Sequence, residues 1–299
     1  MPVVSTNQIE LAYDEVGDQG APAILLVMGL GTQMTAWSEE FCRSLAGRGF
    51  RVLRFDNRDV GLSSKIETAK PVAIAAAFAS LMTGKPVEAP YTLDDMAADT
   101  VGLMDGLGLR QVHLVGASMG GMIAQIIAAK HADRVSSLTS IMSSSGAPGL
   151  PQAKPEAISA LLAPRPASED REQAIDHGVK VYRVIGSPGF PTSDADLRVR
   201  IGRAVDRSYY PAGVGRQFVA VLAGGSRVEL LKRIVAPTLV IHGADDPLVP
   251  VEAGIDTARH IPDAALKVIP GMGHDLAAGL VPILVDAIAA HCQAVAHVR

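Results

Sequence analysis

The stretch V-H-L-V-G-A-S-M-G-G, Val112 to Gly121, reads as a buried strand that ends in a sharp turn presenting one serine. Val112, Leu114, Val115 and Ala117 form a short apolar run. From Met122 onward, Met122, Ile123, Ile126 and Ile127 keep the three-to-four spacing of a helix. Ser118 therefore stands at a strand-to-helix junction, flanked by Gly116 and Gly120 in the spacing G-x-S-x-G. At such a junction the chain must bend sharply and neighbouring backbones must pass with no Cβ between them. The turn would lift the hydroxyl above the sheet edge. It would also aim backbone N–H groups, and the positive end of the next helix, at the place where an oxyanion forms. A serine merely capping a tight turn is the plainer alternative, and the rest of the chain decides between them.

Working outward, the 299 residues are 48% hydrophobic and 19% charged, enough to bury a large core in one α/β domain with or without an appended subdomain. The 27 basic and 31 acidic residues are well mixed, the net charge is −4 and aromatics are only 4%. That composition lacks the basic stripe or stacking platform of a nucleic-acid surface. Cys42 and Cys292 lie far apart and match neither a metal motif nor a disulfide framework, so buried free thiols are expected and no metal is assigned. The first residues, M-P-V-V-S-T-N, show no basic n-region and no apolar h-region, which sets a cytoplasmic location as the expectation.

Along the chain, Val3–Ser5 and Ile9–Tyr13 read as an edge hairpin. Ala23–Met28, A-I-L-L-V-M, is the continuous apolar run of a parallel strand buried on both faces. It ends in Gly29-Leu30-Gly31, a glycine-flanked loop whose Leu30 N–H is the expected oxyanion donor beside that of Met119. A helix over Trp37–Leu45 and a strand over Val52–Phe55 follow. The polar turn Asp56-Asn57-Arg58-Asp59-Val60-Gly61-Leu62-Ser63 comes next, with Asp56 and Arg58 read as structural. Between Lys65 and Thr92, the apolar stretch Val72–Met82 is too short to span a bilayer. Packing as a buried surface helix is expected, with a pocket wall or a homodimer contact as alternatives. Thr92 suits the N-cap of a helix over Leu93–Leu107.

Beyond the serine, Val135–Met142 reads as a strand ending in three serines. The composition then shifts: 8 of the 19 prolines fall between Gly146 and Ser226, among charged helical pieces with no β period. This predicts an α/β core of residues 1–145 and 227–299, with 146–226 as a helical cap inserted after the sixth strand. Strand and helix alternate again over Thr238–His242, Val251–His260, Ala265–Ile269 and Asp275–Ala290. Eight strands result, most of them parallel.

An attacking serine needs a base, and the base needs an acid to fix its tautomer. Of the 8 histidines, His113 lies inside a strand, His177 falls in the cap and His242 sits at a strand end before Gly243. His131, His260, His291 and His297 belong to helix ends or the tail. His274 stands apart, in the loop P-G-M-G-H-D directly after the last strand, and is the expected base. The acid should come from the loop Gly243-Ala244-Asp245-Asp246-Pro247, where either aspartate qualifies. The order Ser, Asp, His, each after its own strand, favours chemistry over a capping role.

Taken together, the motifs L-L-V-M-G (Leu25–Gly29), F-D-N-R-D-V-G-L-S (Phe55–Ser63), V-G-A-S-M-G (Val115–Gly120), P-T-L-V-I-H-G-A-D-D-P (Pro237–Pro247) and I-P-G-M-G-H (Ile269–His274) resemble the α/β-hydrolases of the esterase and haloperoxidase-like branch. The resemblance covers nearly the whole chain and is greatest to the bacterial aclacinomycin methylesterase type. It implies an α/β-hydrolase fold with helices on both faces of the sheet. It also implies Ser118 as nucleophile, His274 as base, Asp246 as acid and the N–H groups of Leu30 and Met119 as oxyanion donors. The implied activity is cofactor-free hydrolysis of small-molecule esters through an acyl-enzyme; topology sets Met28, Met34, Met119 and Met142 near the substrate, with ordinary core filler as the alternative reading. A C–C hydrolase, lactonase or perhydrolase would use the same triad, and a non-catalytic ligand receptor could keep the scaffold. Many relatives carry histidine where this chain has Met28; the connection 65–92 is longer than in the methylesterase type, and the cap diverges.

Overall fold

The computed structural model describes residues 1–67, 73–166 and 170–296. In chain order the elements are β1 (Val3–Thr6), β2 (Ile9–Val16), β3 (Ala23–Val27), α1 (Glu39–Ala46), β4 (Arg51–Phe55), α2 (Ile74–Met82), α3 (Leu93–Gly106), β5 (Val112–Ala117), α4 (Met119–Lys130) and β6 (Val135–Ile141). Four helices follow with no strand among them: α5 (Pro155–Leu162), α6 (Arg171–Ile185), α7 (Asp194–Arg207) and α8 (Pro211–Ala223). The chain closes with α9 (Val228–Leu231), β7 (Thr238–Gly243), α10 (Val251–His260), β8 (Ala265–Ile269) and α11 (Val281–Ala296).

The eight strands form one sheet in the order β1-β2-β4-β3-β5-β6-β7-β8. The hairpin β1–β2 and the pair β2–β4 are antiparallel. Every later pair is parallel. β3 and β5 are buried from end to end, as continuous apolar strands covered on both faces must be. One apolar layer joins Leu25, Leu53 and Leu114 of the sheet to α3 and α4. The other joins Ile24, Leu26, Val115 and Ile241 to α1 and α11. The chain leaves β3 toward β4 and returns on the other side of β3 as β5. Open α/β sheets carry a crevice at such a reversal, beyond the carboxyl ends of the strands.

Two helix starts and the burial of one helix differ notably from the sequence reading. α1 begins at Glu39, not Trp37, because Ser38 caps it by accepting the Phe41 N–H. α11 begins at Val281, not Asp275: Pro282 has no N–H to give and fits only a first helical turn. α2 is not a buried helix. Among the described residues of that stretch only Ala77 is buried, and Met82 is 84% exposed. A helix apolar on all sides buries only the face that meets a neighbour, and α2 meets α8 through Phe78 against Phe218. Val72 and His297 lie outside the described residues.

Thr92 caps α3 as expected, in a reciprocal box with Asp95. Among the described residues one stretch, Ala278–Val295, is long and apolar enough to cross a membrane. Its Leu284, Ile288, Ala289 and Cys292 are fully shielded within the second apolar layer, which is how a core helix reads. Both cysteines are free and buried, and burial pushes the Cys42 thiol up to about 11 and Cys292 to about 12.

Candidate active site

Ser118 connects β5 directly to α4, with φ 54° and ψ −120°. A side chain that is not glycine pays on the order of 1–3 kcal/mol for such a backbone, and surrounding structure must hold it there. The flanking glycines are why it can be held. A Cβ on Gly116 would fall 2.2 Å from the Gly120 carbonyl oxygen, and one on Gly120 would fall 2.1 Å from that of Val27. Ser118 is also fixed by its own backbone: its N–H donates to the Ile141 carbonyl at 2.9 Å, and its carbonyl accepts the Ser143 hydroxyl at 2.8 Å. α4 starts at the next residue, so its positive end lies beside the serine.

The loop after β3 abuts this turn. A Cβ on Gly29 would sit 3.1 Å from Ser118 Cβ and 3.6 Å from its Oγ. Asn57, in the buried polar turn after β4, donates its side-chain amide to the Met28 carbonyl at 2.9 Å. Met28 and Met142 stand at the carboxyl ends of β3 and β6 and are buried within the second apolar layer. Met34 is wholly shielded, its N–H bound by Asp56 Oδ1 at 2.8 Å.

From the far side of the sheet edge comes His274, in the loop after β8. Its Nε2 is 3.0 Å from Ser118 Oγ and its Nδ1 is 2.7 Å from Asp246 Oδ2. Asp246 is buried, and its other oxygen accepts the N–H groups of Leu248 at 2.9 Å and Val249 at 2.8 Å. A carboxylate pinned this way directs its free oxygen at Nδ1, which favours the tautomer with the proton there and leaves Nε2 to accept. Asp245, the alternative acid, instead accepts the Gly271 N–H at 2.8 Å and closes the histidine loop. The structure thus brings Ser118, Asp246 and His274 into one hydrogen-bonded line, with the Gly29–Gly31 loop beside it.

Among the described residues, the remaining histidines stay away from the serine hydroxyl. His242 is fully buried and shares Nε2 with the Val249 carbonyl at 2.8 Å; burial holds it below its usual value, hence neutral. His113 meets Ser137, His260 the Asp256 carbonyl and His291 the Pro237 carbonyl.

Asp56 and Arg58 are structural, as the sequence implies: Asp56 holds its own loop through the Leu62 N–H, and both also reach partners outside it. Asp56 binds the N–H groups of Met34 and Leu62 and pairs with Arg207 of α7 at 2.7 Å. Arg58 forms two bonds to Asp99 of α3, at 2.6 and 2.7 Å. Asp59 takes Arg216 of α8 through two bonds of 2.8 Å. Ser187 donates to Asp275 at 2.5 Å and accepts the Gly273 N–H at 2.9 Å, on either side of His274. Arg207, Arg216, Gln217 and Ser187 were missed because each partner lies between 86 and 186 residues away. No local pattern marks them.

Comparison with known proteins agrees with this architecture. The chain is similar over 98% of its length, and 98% of the relative's, to the rhodomycin D methylesterase DnrP of Streptomyces peucetius, at 26% identity. It is 28% identical to a 2-hydroxy-6-oxononadienedioate/2-hydroxy-6-oxononatrienedioate hydrolase of Cupriavidus pinatubonensis, covering 85% of this chain and 81% of that one. Among solved structures, a thermophilic esterase from Thermogutta terrifontis superposes with a TM-score of 0.71 at 25% identity, covering 98% of each chain. The family model for the alpha/beta hydrolase fold matches residues 22–184, more than half of the chain and including the serine turn, so this hydrolase belongs to the α/β-hydrolase fold family.

Proposed function

We propose that this protein is a serine esterase that cleaves short- to medium-chain or small apolar carboxylic esters through an acyl-enzyme on Ser118. The observation that carries the reading is the hydrogen-bonded line Ser118 Oγ, His274 Nε2, His274 Nδ1, Asp246 Oδ2, at 3.0 and 2.7 Å. His274 takes the hydroxyl proton at Nε2 as Ser118 attacks the ester carbonyl, and Asp246 stabilises the imidazolium. The tetrahedral oxyanion is held by the backbone N–H groups of Leu30 and Met119, helped by the positive end of α4. Collapse breaks the ester C–O bond, and His274 returns the proton to the departing alcohol. Water, deprotonated by the same nitrogen, then releases the acid and regenerates the serine. The helices of residues 146–226 act as the cap over this edge, and Met28 and Met142 supply apolar lining. The methylesterase relatives add weight to a small alcohol as leaving group.

One relative also supports a second reading, C–C bond hydrolysis on the same triad. The two separate in one assay set. Hydrolysis of p-nitrophenyl esters from acetate to palmitate is expected, with a maximum at short or medium chains. Ser118→Ala should lower kcat by about 10⁴-fold or more. No ester turnover, combined with turnover of 2-hydroxy-6-oxononadienedioate, would replace the esterase reading. Failure of an organophosphonate to label Ser118 would overturn both.

A further inference from the structure

We propose that Gln217, on α8, is a positioning residue for the oxyanion loop, so that the rate of the chemical step depends on a side chain supplied by the helical excursion. The inference rests on the assignment of Leu30 N–H as an oxyanion donor made above.

The loop Gly29–Thr32 is a tight turn, closed by Thr32 N–H on the Gly29 carbonyl at a loose 3.3 Å. Its inner peptide, Leu30 carbonyl to Gly31 N–H, directly follows the one that carries the donor. That peptide is gripped at both ends. Thr32 Oγ1 donates to the Leu30 carbonyl at 3.0 Å, and Gln217 Oε1 accepts the Gly31 N–H at 2.7 Å. Gly31 has φ +62°, a conformation with little steric preference of its own for glycine, so its orientation depends on such grips.

Gln217 is itself held rigidly. It is fully shielded from solvent, and its Nε2 donates to the Arg58 carbonyl at 2.7 Å. This also settles which end of the amide faces Gly31: the Arg58 carbonyl can only accept, and the Gly31 N–H can only donate. α8 is anchored beside it by the two bonds from Arg216 to buried Asp59. Its Gly213 lies against the Asp59 backbone, where a Cβ would fall 2.2 Å from the carbonyl oxygen. Val214 fills the space over Gly31, 2.9 Å from where a Cβ would project. A buried amide spanning two backbone groups of separate loops, with both its bonds short, fixes a geometry that a loose 3.3 Å turn bond leaves free.

An oxyanion donor works only if it points at the oxygen of the tetrahedral state, so a small rotation of the Leu30 peptide weakens the transition state more than the ground state. The test compares wild type, Ser118→Ala, Gln217→Met and Thr32→Val. The readouts are turnover of a p-nitrophenyl ester and inhibition by a trifluoromethyl ketone, which forms a tetrahedral oxyanion on the serine. Gln217→Met should lower kcat by about 10- to 100-fold with KM changed by less than about threefold, and weaken the ketone by a similar factor. Thr32→Val, which releases the same peptide from its other end, should give a smaller effect of the same kind; it carries the test if Gln217→Met fails to fold. Folded variants with unchanged kcat and unchanged ketone affinity would overturn the proposal while leaving the esterase reading intact. A rise in KM alone would reassign Gln217 to substrate binding. A wild-type protein that does not turn over esters, or whose ester turnover survives Ser118→Ala, would overturn the esterase reading and this one with it.

Discussion

The helical excursion between β6 and β7 meets the sheet edge along two seams made of different chemistry. Beside the serine and the Gly29–Thr32 loop the seam is side chains reaching across: Arg207 to Asp56, Arg216 to Asp59, Gln217 to Gly31 and Arg58. Beside His274 it is largely backbone. The His274 N–H donates to the Ile185 carbonyl at 2.7 Å and Gly189 N–H to the Gly271 carbonyl at 2.9 Å. A Cβ on Gly189 would fall 2.7 Å from Gly271 Cα. Long guanidinium arms tolerate distance but bury charges that must stay paired. Backbone contact buries no charge and tolerates no extra atom.

The largest expected effect comes from breaking the charged seam. Among the described residues, Arg216→Met leaves the Asp59 carboxylate, fully shielded, hydrogen-bonded to Tyr91 and the Ile66 N–H but without its guanidinium partner. Removing one partner of a buried pair costs about 3–5 kcal/mol, to be read from urea unfolding. A loss below about 1 kcal/mol would mean that the seam is not held by its charges.

Gly189→Ala probes the backbone seam with one methyl group. Overpacking there should cost about 1–3 kcal/mol, less than the charge loss. It should also displace the His274 loop, lowering kcat more than KM. An alanine variant with wild-type stability and kcat would show that the close approach is not needed.

The smallest effect involves a group in neither seam. Burial holds His242 below its ordinary value of 6.5, and His177 and His291 likewise. The unfolded chain therefore takes up protons first on acidification. Stability is fully present above pH 6.5 and falls as pH drops through that value toward the folded pKa. His242→Gln keeps an N–H for the Val249 carbonyl but does not titrate. It should flatten, without abolishing, the fall in Tm between about pH 7 and about pH 5. An unchanged slope would remove His242 from that dependence.

The sites legible in the sequence share a property: each is marked by residues next to it in the chain. Gly116 and Gly120 declare the Ser118 turn because a turn is local. His274 could be singled out by its place directly after the last apolar strand. The residues of the loop alone left Asp245 and Asp246 open, and only the family resemblance pointed to Asp246; in the structure Asp246 reaches His274 and Asp245 closes on Gly271. The exposed state of α2 was equally hidden, because hydrophobic periodicity says which residues are apolar and not how many neighbours arrive to cover them.

The sequence by itself determined the eight strands, their mostly parallel order, the serine turn and the histidine loop, because strand burial and backbone turning are set by neighbouring residues. Tertiary structure alone decided that α7 and α8 would be tied to the loops after β3 and β4, and that Gln217 would grip the peptide after Leu30. Arginine and glutamine on an amphipathic helix look like any solvated face. Only when the chain returns across more than 150 residues do their charges and amides meet buried partners, and burial is what makes those partners matter.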